Sequence, residues 1–222
     1  SAMPTTLHNP PSQLVEMNEK LFMVDCGEGT QLQMRRFKAR MSKLHSLFIS
    51  HLHGDHIFGL PGLISTLSLL GRTNDLNIYA HKEINLLLKP LLIYLGKHIQ
   101  FKIILHPLNP EGHELLFENR SIRIESFPLK HRIATNGFLI MEKSRARPPK
   151  TFAYCSDTAY SPEIIPRIER VDLLYHEATF AEAERKRAAE TYHSTARQAA
   201  EIAKAAGVKR LVIGHYSSRY NE

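Results

Sequence analysis

Short apolar runs separated by turn residues dominate the first two-thirds of the chain, and they predict a succession of β-strands with a few helices between them. Residues 13–17 and 21–25 read as two strands joined by the turn-like Asn18-Glu19. Gly27-Glu28-Gly29 breaks the second strand, and Thr30 is placed to cap a helix carrying Leu32, Met34 and Phe37. A buried strand follows at 47–50. Residues 57–70 have the length and spacing of a helix, interrupted by Gly59 and Pro61-Gly62. A strand over 76–80 precedes a helix over 83–95, with Pro90 as a kink inside it. Strands are predicted at 101–105, 114–117, 122–127, 137–142 and 151–155. The pattern then becomes strand–helix alternation: helix 162–169, strand 171–175, helices 181–191 and 195–206, and strand 210–213, with Gly207 ending its helix as a C-cap. Strands mixed with surface helices point to an α/β fold of two β-layers flanked by helices, a four-layer αββα sandwich.

Composition narrows this picture a little. The 222 residues suffice for a real core, and 43% hydrophobic with 23% charged residues is ordinary for a globular protein. A net charge of +7 leans toward a polyanionic partner. Cys26 and Cys155 have no zinc-finger spacing and are too few for a disulfide framework. They read as buried thiols of a protein in the reducing cytoplasm. No apolar stretch reaches the length of a membrane span, and no signal peptide opens the chain. Residues 143–150 form a basic, proline-bearing linker without apolar period.

The candidate chemistry is concentrated in His51-Leu52-His53-Gly54-Asp55-His56, directly after an apolar strand. Imidazole nitrogens and carboxylate oxygens are the donors zinc prefers. In an extended segment, residues i and i+2 point to one side, so His51 and His53 can hold one metal. Asp55 and His56 fall where a turn opens a helix and can face a second. Further ligand types stand just past predicted strands: His131, Asp157 and His215. A lone histidine there is more often a packing or surface residue; beside the first cluster these three become the partners that open coordination positions require. Asp157 is the natural bridge, because its two oxygens can hold two cations. His8, His45, His81, His98, His106 and His113 sit in no such context and read as solvent or packing residues.

With these residues in place, the chain resembles the metallo-β-lactamase superfamily and, within it, the ribonuclease Z family of tRNA 3′-processing endonucleases. The resemblance is carried by Phe22-Met23-Val24-Asp25-Cys26-Gly27-Glu28-Gly29-Thr30-Gln31, by Ile49-Ser50-His51 onward to Leu63, and by Pro128-Leu129-Lys130-His131-Arg132. Later words are Ser156-Asp157-Thr158, His176-Glu177-Ala178-Thr179-Phe180, His193-Ser194-Thr195 and His215-Tyr216-Ser217-Ser218-Arg219-Tyr220. The resemblance implies two zinc ions per chain, with manganese or iron as alternatives. His51, His53 and His131 would hold one, Asp55, His56 and His215 the other, and Asp157 would bridge them. It also implies a proton-transfer pair, Glu177 and His193, and an RNA contact, Arg219. The implied reaction removes the 3′ trailer from precursor tRNA. Hydroxide drawn from the metals and oriented by Asp55 attacks phosphorus, leaving a 3′-OH on the tRNA and a 5′-phosphate on the trailer. A cytoplasmic homodimer is implied as well.

Other hydrolases, such as a small-substrate phosphodiesterase or lactonase, share this scaffold, but the His176-Glu177-Ala178-Thr179 and His193-Ser194-Thr195 words argue for the nuclease. A non-catalytic RNA-binding module would leave seven ligand-type residues and a proton donor without a purpose. The chain departs from the family's pattern in three places. The family's opening strand should precede residues 1–5, and two basic positions of that loop match Thr6 and His8. The long arm that grips tRNA is replaced by residues 143–150, and the chain stops soon after Tyr220. The expectation is a single metallo-β-lactamase-like domain over 1–222, lacking the first strand, the arm and the C-terminal end.

Overall fold

Two five-residue strands, the half-exposed β1 (Gln13–Met17) and the buried β2 (Lys20–Val24), pair antiparallel across the Asn18-Glu19 turn, where both turn residues take positive φ. The computed structural model describes residue 5 and residues 8–96, 98–143 and 148–220. Thr6 of the opening loop and residues 144–147 of the basic linker therefore lie outside the described residues. The chain divides into two compact units, Ala2–Leu108 and Asn109–Glu222.

In the first unit, β2 continues into a parallel run with β3 (Leu44–Phe48), β4 (Leu76–Ala80) and β5 (Ile103–Pro107), in the order β1-β2-β3-β4-β5. Its connections carry helices α1 (Thr30–Arg36), α2 (Gly54–Ile57), α3 (Leu60–Leu69) and α4 (Asn85–Leu95). Met23, Leu47, Ile78 and Ala80 from the strands, with Ile49 just past β3, join Met34, Leu60, Leu63, Ile64, Leu67 and Leu88 from the helices in one core. Burying such side chains contributes roughly 1.5–3 kcal/mol each before entropy is subtracted.

The second unit has the order β11-β10-β9-β8-β7-β6. Its strands are β6 (Glu114–Glu118), β7 (Ile122–Pro128), β8 (Asn136–Glu142), β9 (Thr151–Cys155), β10 (Leu173–Glu177) and β11 (Leu211–Gly214). Strands β6 to β9 run antiparallel, while β9, β10 and β11 are parallel. Helices α5 (Arg185–Thr191) and α6 (Ala196–Ala205) lie in its connections. Ile202, Ala203 and Ala206 pack with Ala153, Cys155 and Leu174. Thr195 opens α6 with a complete capping box, its hydroxyl accepting from Gln198 N at 3.2 Å while Gln198 Oε1 accepts from Thr195 N at 2.9 Å. Gly207, at φ 64°, closes it: its N–H donates to Lys204 O and that of Val208 to Ala203 O.

Several boundaries differ from the sequence reading for physical reasons. The 57–70 segment is interrupted at Gly59, as expected, while Pro61-Gly62 lie inside the first turn of α3 and do not break it. The break falls at Gly59 because that residue is pressed against the preceding loop. A Cβ there would lie 2.0 Å from Gly27 O, and Gly59 N donates to Cys26 O instead of continuing one helix. Thr30 is the first helical residue and Gly29, at φ 76°, holds the N-cap position. The 162–169 helix is a 3-10 segment, Pro162–Arg167, since Pro166 cannot donate to an α-helical ladder. The 101–105 strand begins two residues later, at Ile103, where pairing with β4 starts. Both cysteines are buried and free, and burial pushes the Cys26 thiol up to about 12.

Candidate metal and acid–base centre

In the first unit, β3 delivers the chain to a buried Ile49-Ser50-His51, and His53, still extended, opens the single turn of α2. The turn packs Gly54 under the Phe58 ring, 2.4 Å from where a Cβ would stand, so no side chain fits there. His51 Nε2 lies 2.9 Å from His53 Nδ1, and Asp55 Oδ2 lies 3.3 Å from His56 Nε2. The sequence placed these residues in the same two pairs. Behind them is a carboxylate the sequence reasoning passed over. Asp25, fully buried and at φ 59°, accepts from Ser50 N at 2.7 Å, from Ser50 Oγ at 2.9 Å and from His56 Nδ1 at 2.8 Å. Since the Ser50 hydroxyl donates to Asp25, it accepts from His51 Nδ1, 3.0 Å away. Both histidines are thus held by Nδ1 with Nε2 left to face a ligand.

In the second unit the parallel register does the placing. Cys155 stands opposite His176, His176 opposite Ile213 and Glu177 opposite Gly214, so the chain leaves β9, β10 and β11 at one sheet edge. Asp157, Glu177 and His215 all sit there. His131 joins them from the loop after β7, which is tied down by Lys130 N donating to Thr158 Oγ1 and Ala159 N donating to Lys130 O. His131 Nε2 lies 3.9 Å from Asp157 Oδ2, and His215 Nε2 lies 3.5 Å from Asp157 Oδ1. Each carboxylate oxygen therefore faces a different imidazole, the disposition a bridging ligand needs. The other nitrogens are again anchored: His131 Nδ1 donates to Tyr192 O at 2.9 Å, and His215 Nδ1 lies 2.9 Å from Thr179 Oγ1. Imidazoles held through Nδ1, with Asp55 beside His56 Nε2 and Asp157 beside His131 Nε2 and His215 Nε2, offer the nitrogen and oxygen donors that divalent cations such as zinc prefer.

Glu177 is fully buried and accepts four hydrogen bonds: from Thr158 N (2.9 Å), Thr179 N (3.1 Å), Thr179 Oγ1 (2.6 Å) and His193 Nδ1 (2.7 Å). Burial pushes its carboxyl upward, but the hydrogen bond and charge of His193 outweigh this and hold it below its ordinary value. The converse holds for His193: burial pushes it down, and Glu177 raises it above the ordinary histidine value. The sequence-predicted acid–base pair is therefore assembled, and the ligand atoms of Asp157, His193 and His215 lie within 4.8 Å of one another. Arg219 is engaged differently from a free RNA contact. It pairs with Glu184 and lies 5.2 Å over the Phe180 ring. Asp25, Ser50 and Thr179 are the residues the sequence analysis missed. Asp25 ends an apolar strand much as Cys155-Ser156-Asp157 does, which is the one signal that could have drawn notice to it.

A family model, the beta-lactamase superfamily domain, matches residues 21–216. A ribonuclease Z of Parabacteroides distasonis is 49% identical over 266 residues, covering all of this chain and 88% of the relative. A ribonuclease Z of Porphyromonas gingivalis W83 is 44% identical with the same coverage. Among solved structures, the short form of human tRNase Z superposes with a TM-score of 0.85 at 28% identity, covering 96% of this chain and 90% of that one. The metallo-β-lactamase fold protein YhfI of Bacillus subtilis gives 0.75 at 22% identity, a likeness of fold alone. The chain thus has the metallo-β-lactamase fold, with two mixed sheets and flanking helices as the sequence predicted.

Proposed function

The chain belongs to the ribonuclease Z family, and on that premise we infer that it is a metal-dependent endoribonuclease that processes the 3′ ends of precursor tRNA. The observation that carries the reading is the 2.7 Å hydrogen bond between the buried Glu177 and the partly buried His193, at the edge that also bears Asp157 and His215. A metal hydrolase with ligands alone has no built-in donor for a leaving alkoxide; this pair supplies one.

The proposed ligand sets are His51, His53 and His131 for one ion, Asp55, His56 and His215 for the other, and Asp157 between them. The pairwise geometry within each unit supports this division, and zinc is the ion we assign, with manganese or iron able to use the same donors. When bound, the two ions supply Lewis acidity that makes water nucleophilic at neutral pH and neutralises charge on the phosphate. The chain's own residues do the rest. Asp55 orients the attacking water. Glu177 grips His193 by Nδ1, so the ring's Nε2 is turned outward to give its proton to the departing 3′ oxygen. The tRNA then ends in a 3′-OH and the trailer begins with a 5′-phosphate. Arg219 meets the RNA near the cut, exchanging its Glu184 partner for phosphate.

We assign the whole of 1–222 to one metallo-β-lactamase domain without the family's protruding arm. In support, the alignments with the relatives extend over 266 residues against the 222 of this chain. A homodimer is supported by Phe37, Leu69, Leu86, Ile93 and Tyr94, which expose most of their apolar area. A cytoplasmic site is supported by the two free cysteines, and among the described residues no helix is long and apolar enough to cross a membrane. The test is cleavage of one precursor tRNA with and without chelator, with the cut mapped and the metal content measured. Full activity in chelator, or a cut away from the 3′ end of the tRNA body, would sink the assignment.

A further inference from the structure

Thr179 carries one hydroxyl, yet three functional groups converge on it. Its Oγ1 lies 2.6 Å from Glu177 Oε2, 2.9 Å from His215 Nδ1 and 3.2 Å from His193 Nδ1. A hydroxyl has one proton and two lone pairs. The carboxylate can only accept, so the proton goes to Glu177, and the lone pairs are left for the imidazoles. His215 must then carry its hydrogen on Nδ1 and present a bare Nε2 toward Asp157 Oδ1, 3.5 Å away. His193 gives its Nδ1–H chiefly to Glu177 Oε1. The same oxygen therefore aligns two rings whose centroids are 5.4 Å apart and whose planes differ by 21°.

The threonine cannot easily turn away. Its N–H donates to Glu177, its carbonyl accepts from Ser217 N, and the neighbouring Ala178 N donates to Gly214 O. With backbone pinned on both sides and a β-branched side chain, χ1 is restricted. The hydroxyl also closes a chain of donors running from His215 through Thr179 to Glu177. Hydrogen bonds in such a chain strengthen one another in a buried setting.

We propose that Thr179 is a positioning residue that fixes the tautomer of His215 and couples this ligand to the Glu177–His193 pair. The proposal rests on reading His215 as a metal ligand. Its test does not need the metal: in chelator-treated protein labelled with 15N-histidine, long-range proton–nitrogen spectra report which ring nitrogen of His215 bears hydrogen. The parent should show the Nδ1–H form. Thr179→Val, which keeps the shape and removes the hydroxyl, should shift His215 toward the Nε2–H form. It should also weaken zinc binding, measured by chelator competition, about 10–100-fold. Thr179→Ser should restore the parent tautomer and affinity. If Thr179→Val does not fold, Thr179→Ala carries the same comparison.

Retention of the Nδ1–H form and parent affinity without the hydroxyl would overturn the proposal. So would a Thr179→Ser protein that behaves like Thr179→Val, since shape alone would then be responsible. Precursor tRNA cleavage by the parent is scored alongside. A parent that neither binds zinc nor cuts precursor tRNA removes the functional reading, an outcome separate from an unchanged His215 in the variant.

Discussion

Replacing Asp25 by asparagine should separate stability from metal binding. Asp25 Oδ1 receives Ser50 N, a donor fixed in the backbone, while Oδ2 receives both Ser50 Oγ and His56 Nδ1. The best placement of the asparagine keeps its oxygen on Ser50 N and puts its NH2 where Oδ2 stood. Ser50 Oγ can rotate and accept from that group. His56 Nδ1 can accept from it only by giving up its own hydrogen, which moves to Nε2, the nitrogen facing Asp55. The metal-free protein thus loses only the bond that the Ser50 hydroxyl donated to Oδ2, but His56 is locked in a form that cannot ligate. Returning it to the ligating form gives up that hydrogen bond and leaves the ring N–H facing the NH2, a buried donor without an acceptor, about 1–3 kcal/mol. At about 1.4 kcal/mol per tenfold, that is roughly a 5–150-fold loss of metal affinity. Chelator competition measures the affinity, and thermal unfolding of the chelated protein measures stability. An Asp25→Asn protein that binds metal as the parent does would refute the tautomer argument. One that fails to fold without metal would show that the charge of Asp25, rather than its hydrogen-bond pattern, is what matters.

Removing the acid should spare the metals. His193→Ala is expected to lower cleavage of precursor tRNA by about 10²–10⁴-fold, the usual range for general acid catalysis, while metal content measured on the purified protein stays at the parent value. Acid should weaken the fold through His176, which is buried, donates from Nδ1 to Glu177 O, and is held below its ordinary value mainly by that burial. Its folded value lies below the unfolded one near 6.5. The neutral ring is therefore favourable above that pH, and stability drains as pH falls from about 6.5 toward the folded value, by up to about 1.4 kcal/mol per unit. Urea unfolding of chelated parent and His176→Phe between pH 7.5 and 5.5 checks the sign: the parent should lose stability relative to the variant, and a widening advantage for the parent in acid would contradict it.

The candidate site was legible in the sequence because its ligands are dense and share one context. His51 through His56 stand together, and His131, Asp157 and His215 each follow an apolar strand, so local pattern alone nominated them. Asp25, Ser50 and Thr179 were not legible, since their roles exist only after distant residues meet. Thr179 reaches His215 across 36 positions, and Asp25 reaches His56 across 31. The same division applies to the fold. Strand pairs with a clean turn, such as β1 and β2, were read at their true length. The break at Gly59 was legible from the glycine itself, but its cause was not, because Gly27, the residue it presses against, comes from another loop. Proline chemistry at 162 and 166 was visible, but the periodicity of the apolar residues there masked its effect on helix type.

The parallel register of β9, β10 and β11 makes the centre a matter of chain length more than of side-chain identity. Exchanging one apolar residue for another inside those strands leaves Asp157, Glu177 and His215 at the same edge. Deleting a single strand residue draws the following turn back by about 3.3 Å and turns the next side chain to the opposite face. Insertions and deletions within these strands are thus the lesions this centre tolerates least, however conservative their composition.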